Sequence, residues 1–279
     1  MPTENFLAII HGLDYLAILL LFGVQFFDLF IGRLSARSSS KYFLIATITS
    51  LSFLLLSSAD MAGAWNLSRI WLVMGGTSFG FYGCLRVFVL VSGFVLSVGF
   101  GFKSGVRLIL LVLAGLALFF SSLTSHAAMS ETNTYFRILL DFIHSSAASV
   151  WVGGLFALYF YLGNCNEPFL VVKRFSHFAM AGTGLILLTG LFQLYFTFKT
   201  PSDLWSTTYG GLALAKLVLF FFALAAASLN HFLHLRNWRV GNDLIFSKNI
   251  KREVTIEMFL LFILIGVTGF LTRSNLPGE

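Results

Sequence analysis

Eight stretches of roughly 20 apolar residues, almost free of charge, follow one another along this chain, and they leave very few folds open to it. A helix of about 20 residues crosses the hydrocarbon core of a bilayer because it satisfies its backbone N–H and C=O groups internally. The stretches run roughly over 6–31, 42–63, 79–98, 107–126, 136–162, 174–198, 209–235 and 254–272. The expected fold class is therefore all-α, a polytopic membrane bundle of eight transmembrane helices. Composition agrees, since 57% of the 279 residues are hydrophobic and 11% are charged, whereas soluble domains carry about 25% charged residues. A cytosolic enzyme, a disordered chain and a nucleic-acid binder are excluded on that ground.

The net charge of +6 reports topology and not a polyanionic partner. Arg33, Arg37 and Lys41 fall in the first connection, Lys103 and Arg107 in the third, and Lys173 and Arg174 in the fifth. The seventh holds Arg236, Arg239, Lys248, Lys251 and Arg252, while Arg69, Arg137 and Lys199 stand alone in the even connections and Arg273 in the tail. The positive-inside rule then places the odd connections in the cytoplasm and both termini and the even connections outside. The first span has no basic flank and no small-residue cleavage site, so it is expected to remain as a membrane helix. Cys84 and Cys165 match no zinc, haem or thioredoxin spacing and are expected to be free thiols.

Two basic residues lie inside spans, Arg86 in the third and Lys216 in the seventh, and their surroundings repeat. Thr77-Ser78-Phe79-Gly80 resembles Thr207-Thr208-Tyr209-Gly210, and in each copy the basic residue follows six positions after the glycine. Lys41-Tyr42 and Arg174-Phe175, His11 and His144, and Leu123-Thr124 and Leu271-Thr272 recur in the same order. Four spans per half is an even number, so the halves 1–130 and 131–279 are expected to share one orientation as a parallel 4+4 repeat.

Ionisable groups inside a bilayer are costly unless they are paired or functional. On the expected topology His11, His126 and His144 lie in the outer half of the membrane, and His177, His231 and His234 near the cytoplasmic ends. Met61, Met74 and Met129 also fall at the outer side. Imidazole and thioether together suit copper, Cu(I) above all, better than magnesium or calcium, which take oxygen ligands. Asp14 follows His11 by three residues and Asp141 precedes His144 by three, so each carboxylate shares a helix face with a histidine and is placed to orient its ring. Trp151, seven residues after His144, stands two turns away on the same face, ahead of Gly153-Gly154, whose expected use is close helix packing.

Each of these residues also has a structural use. His177 and His234 suit the membrane interface, Met61 and Met74 suit packing, and Arg86 and Lys216 can pair with Asp14, Asp60 or Asp141. Glu257 is placed to face the positive seventh connection.

Ser125-His126-Ala127-Ala128, Asp141-Phe142-Ile143-His144, Trp151-Val152-Gly153-Gly154-Leu155, Arg174-Phe175-Ser176, Thr189-Gly190, Tyr209-Gly210 with Lys216, Asn230 and Glu257 occur in an ordered set. In that set the chain resembles the copper-resistance protein D (CopD) family of bacterial inner-membrane proteins. The resemblance covers 107–279 well (spans four to eight) and 1–106 (spans one to three) more loosely, through His11 and the Thr77 motif with Arg86. It implies copper handling: transport from periplasm to cytoplasm, copper homeostasis or resistance, often beside a small periplasmic copper-binding protein. It makes His126 and His144 the copper ligands, with His11 as a third, Met129 beside them and Asp141 as an orienting group. His177 and His231 are not inherited as ligands. No cytoplasmic Cys-x-x-Cys collects the ion.

Two other functions use the same residues. A b-type haem electron carrier would draw axial pairs from His11, His126 and His144 outside and from His177 and His231 inside. An accessory protein delivering copper to a respiratory oxidase would need the outer site alone. No P-loop, zinc-protease helix or serine elbow occurs, so no enzymatic activity is expected.

Overall fold

A computed structural model describes residues 4–34, 36–63, 65–100, 104–125, 133–165, 167–198, 200, 202–230 and 243–271. The helices are α1 (Glu4–Phe30), α2 (Ala36–Met61), α3 (Leu67–Gly76), α4 (Ser78–Gly99), α5 (Ser104–Ser122), α6 (Thr134–Tyr161), α7 (Pro168–Thr197), α8 (Asp203–Ser206), α9 (Thr208–Asn230) and α10 (Asp243–Leu271), with a 3-10 turn at Leu162–Asn164. Eight of them are long and apolar enough to cross a membrane. Among the described residues there is no strand, and the protein is an all-α polytopic membrane bundle.

Three spans begin well before their apolar stretches. Helix α2 starts at Ala36, α7 at Pro168 and α10 at Asp243, so Arg37, Lys41, Lys173, Arg174, Lys248, Lys251 and Arg252 stand on helical turns and not in loops. Basic side chains permit this because their aliphatic stems cover apolar surface while their charged heads reach water. Proline at the first helical position removes an N–H that has no partner there in any case.

Two short helices, α3 and α8, interrupt the even connections. Asn66 caps α3 by accepting from the Ser68 and Arg69 amides at 2.9 and 3.4 Å. Thr77 then ends α3 and starts α4: its hydroxyl donates to the Val73 carbonyl at 2.7 Å and accepts from the Gly80 amide at 3.0 Å. Thr207 does the same between α8 and α9, with the Asp203 carbonyl at 2.7 Å and the Gly210 amide at 3.0 Å. Each short helix folds back so tightly that a Cβ on Gly80 would strike the Met74 backbone and one on Gly210 the backbone of Asp203 and Leu204.

Helix α1 is central and packs on α2, α5, α6 and α10. It crosses α6 with the backbones nearly touching. A Cβ on Gly153 would lie 2.7 Å from Gly23 Cα, and one on Gly23 would enter the Ser149 carbonyl. Two turns away on the same crossing, Tyr15 and Ser145 share a hydrogen bond of 3.1 Å. Phe88, Val95, Phe222 and Phe259 point outward, where hydrocarbon is the solvent that suits them.

The two sides of this crossing are packed differently. Helices α1, α2, α4 and α5 close around a dry cluster that includes Leu21, Phe43, Ala46, Leu90, Leu110 and Ala117. Toward the Phe30 end of α1, Asp28 accepts from the Leu34 amide at 2.6 Å and pairs with Arg107 at 3.5 Å. Helix α2 lies along α4. A cavity instead opens between the described parts of α7 and α9.

Candidate functional site

At the end of the bundle where α2, α5, α7 and α10 stop and α1, α4, α6 and α9 begin, the eight long helices enclose a cavity of about 370 Å³. His11, Met61, Asp141, His144 and Lys216 all line it. Residues separated by up to 205 positions in sequence are thus brought to one space. A smaller cavity of about 130 Å³ adjoins it, shares Tyr15, His144, Gln193, Tyr209 and Lys216, and continues between α7 and α9 to Trp151. There the Trp151 ring meets Phe220 edge-on, with centroids 5.8 Å apart.

His144 is buried, and its Nδ1 lies 2.9 Å from the Thr189 hydroxyl. That hydroxyl also lies 2.6 Å from the Leu185 carbonyl, to which it donates its one hydrogen. Toward the imidazole the threonine oxygen must therefore accept, so Nδ1 carries the ring proton and Nε2 keeps its lone pair. A histidine in this tautomer has a free ring nitrogen that can ligate a metal, with its orientation set by a neighbouring group. The orienting role expected of Asp141 is filled on Nδ1 by Thr189, from a different helix. Asp141 lies instead within charge–charge range of Lys216.

The first half treats its ionisable groups in another way. Asp14 is 1% exposed, and its oxygens meet Arg86 at 3.0 Å, Ser50 at 2.5 Å and Thr49 at 3.5 Å. Both carboxylate oxygens of Asp14 thus meet side chains of α2 and α4. Arg86 also donates to Ser121 at 3.4 Å and sits 5.7 Å from the centre of the Phe53 ring. Phe53 stacks on its other neighbour, His11, with ring centroids 4.7 Å apart. Arg86 is thus a buried ion-pair partner behind the cavity wall, whereas Lys216 lines the cavity itself.

His177 is exposed on α7, with Nδ1 donating to the Lys173 carbonyl at 2.7 Å, and does not line either cavity. His126, Met129, His231 and His234 lie outside the described residues. The chain enters the undescribed stretch directly from Thr124 and Ser125, which are on the cavity wall. Among the described residues no three His, Cys, Asp or Glu side chains converge as a metal site. Both cysteines are free thiols. Tyr15 and Gln193 on the cavity wall, and Thr189 beside His144, were not singled out for a role by sequence reasoning. Thr189-Gly190 was visible as a pair, and the use of its first member is now apparent: the threonine holds the His144 ring.

Two family models match the chain on either side of residues 137–168, the stretch that carries Asp141, His144 and Trp151. The Copper resistance protein D-like, N-terminal domain model covers residues 2–136, and the Copper resistance protein D model covers 169–271. The chain belongs to the copper resistance protein D family. Copper resistance protein D of Pseudomonas syringae pv. tomato is 25% identical over 287 aligned positions, which take in 92% of each chain. Copper transport protein CutJ of Bacillus subtilis (strain 168) is 35% identical over 144 positions, 50% of this chain and 26% of that protein. The chain therefore spans about a quarter of that relative's length. No solved structure matches.

Proposed function

We propose that this family member binds copper, with Cu(I) favoured, in the cavity at the outer ends of its helices and passes it from periplasm to cytoplasm across a bacterial inner membrane. The observation that carries the reading is the fixed tautomer of His144, which leaves Nε2 unprotonated on a residue that lines the cavity. His11 and Met61 on the same wall offer the soft donors that copper takes, and His126 and Met129 follow directly after the rim. The names of the two relatives support copper as the cargo. Both termini face the periplasm in this reading, the protein acts as a carrier and not as an enzyme, and a small periplasmic copper-binding protein delivers the ion.

The 4+4 repeat is part of the same proposal. An offset of 130 relates Thr77 to Thr207, Gly80 to Gly210 and Arg86 to Lys216, and also the residues that meet at the α1–α6 crossing, Gly23 with Gly153 and Tyr15 with Ser145. On this register Asp14 corresponds to His144, and His11 to Asp141. The first half thus closes an arginine–aspartate pair where the second half presents a lysine and a histidine to the cavity.

Metal analysis and a visible spectrum of detergent-purified protein test the reading. Wild type is expected to hold near-stoichiometric copper, and the His126→Ala/His144→Ala variant to lose it while still inserting in the membrane. Undiminished copper in that variant would remove the site. A strong Soret band would transfer the histidines to haem b, and impaired oxidase activity with unchanged cellular copper in a deletion strain would favour the accessory-delivery role.

A further inference from the structure

We infer that the cavity takes copper as a complex with a small carboxylate-bearing, anionic chelator and not as the bare ion, an inference that rests on the copper reading above. The charges on its wall point this way. Among the described lining residues the cations are Arg137 and Lys216, and the one carboxylate is Asp141. Asp14, the nearest buried acid of the first half, is already neutralised by Arg86 at 3.0 Å. With neutral histidines, and with Lys216 supported as an ammonium by the nearby Asp141 carboxylate, the wall is net positive, and Lys216 lines both cavities together with His144, the best-prepared ligand. A bare cation approaching His144 would be repelled by that ammonium, whereas a complex of net negative charge would be drawn to it.

The size and the donors fit the same occupant. At about 30 Å³ of liquid volume per water, a space of about 370 Å³ holds around a dozen water-sized groups, far more than a desolvated metal ion fills. Hydroxyls of Ser57, Ser121 and Tyr209 line it, and the buried Gln193 Nε2 has no hydrogen-bond partner among the described residues. Cations with N–H and O–H donors around them are the complement of carboxylate oxygens. A chelate also brings most of its own metal ligands, so His144 with one further donor suffices where no three-residue metal cluster forms among the described residues.

The test is dual-label binding to the purified full chain, with radioactive copper, as Cu(II) and, under ascorbate, as Cu(I), and carbon-labelled citrate supplied separately and as the anionic copper citrate complex. Both labels are expected to be retained together in a fixed ratio. Lys216→Gln is expected to weaken retention of the complex by about tenfold, the scale of one charge-assisted contact, and Lys216→Arg to preserve it. For a bare cation the sign reverses, because removing an ammonium beside the ligand strengthens binding. Copper held without citrate, with Lys216→Gln binding as tightly as wild type or tighter, would overturn the inference and leave the copper reading intact. Citrate retained equally without copper would overturn it too. Copper absent in every form, or retained without regard to His144→Ala, would overturn both. If Lys216→Gln does not fold, the ratio of the two labels on wild type still decides.

Discussion

A threonine hydroxyl has a single hydrogen, and at Thr189 its destination decides what His144 can do. The Leu185 carbonyl takes it, so the imidazole must donate from Nδ1. Groups that orient a ligating histidine are worth about 10–100-fold in metal affinity. Thr189→Val, which keeps the shape and removes the acceptor, is therefore expected to weaken copper binding by about that factor in a competitive titration, and Thr189→Ser to stay near wild type. Equal affinity in Thr189→Val would show that the ring is held in some other way. His11, Asp141, His144 and Lys216 were readable from sequence because an ionisable group inside a bilayer has to have a use. Thr189 was not, since a hydroxyl can be satisfied by the carbonyl four residues back in its own helix and so leaves no such demand. The Asp14–Arg86 pair was foreseen only as one of several pairings, because residues 72 apart in sequence meet only once α1, α2 and α4 are packed.

Apolar length located all eight spans but not α3 and α8, which at 10 and 4 residues fall well below a spanning window. Their signals are local: Asn66 as a cap, and the two threonines that each finish one helix and begin another. The starts of α2, α7 and α10 were set too late because lysine and arginine were taken to end helices that they in fact extend. Close approach at the α1–α6 crossing was partly visible in Gly153-Gly154, but its partner Gly23 carries no mark in sequence. Gly153→Val would drive a branched side chain into the α1 backbone. The expected cost is about 1–3 kcal/mol or more, read as a lowered melting temperature in detergent. Gly184→Val on α7, where a Cβ meets nothing within 4 Å, is the comparison and should change little. Equal melting of the two variants would mean that the crossing relaxes.

Charge asymmetry gives the whole bundle its proposed direction. In a Cys84→Ser/Cys165→Ser background, a cysteine replacing the exposed Ser202 is expected to react with an impermeant maleimide applied to intact spheroplasts, and one replacing the exposed Lys248 only after lysis. The reverse pattern would invert the topology and turn the cavity toward the cytoplasm. Fold class and membrane setting were available from composition alone, since solvent selects them through every residue at once. The unequal packing of the two halves was not, because Arg86 and Lys216 sit in nearly identical local motifs and differ in what faces them.

The dry cluster around Leu21, Phe43, Leu90 and Leu110 has an electrical meaning as well as a packing one. In the proposed orientation, water in the cavity would carry the outer potential to His144 and on along the α7–α9 opening toward Trp151, while on the α1–α2–α4–α5 side the transmembrane voltage would fall mainly across this apolar cluster. The field across that side would then be steeper than in a uniform slab of the bilayer's thickness. A monovalent ion released at His144 would be drawn inward, in a cell whose interior is negative, by what remains of the drop, about 2.3 kcal/mol for each 100 mV of it.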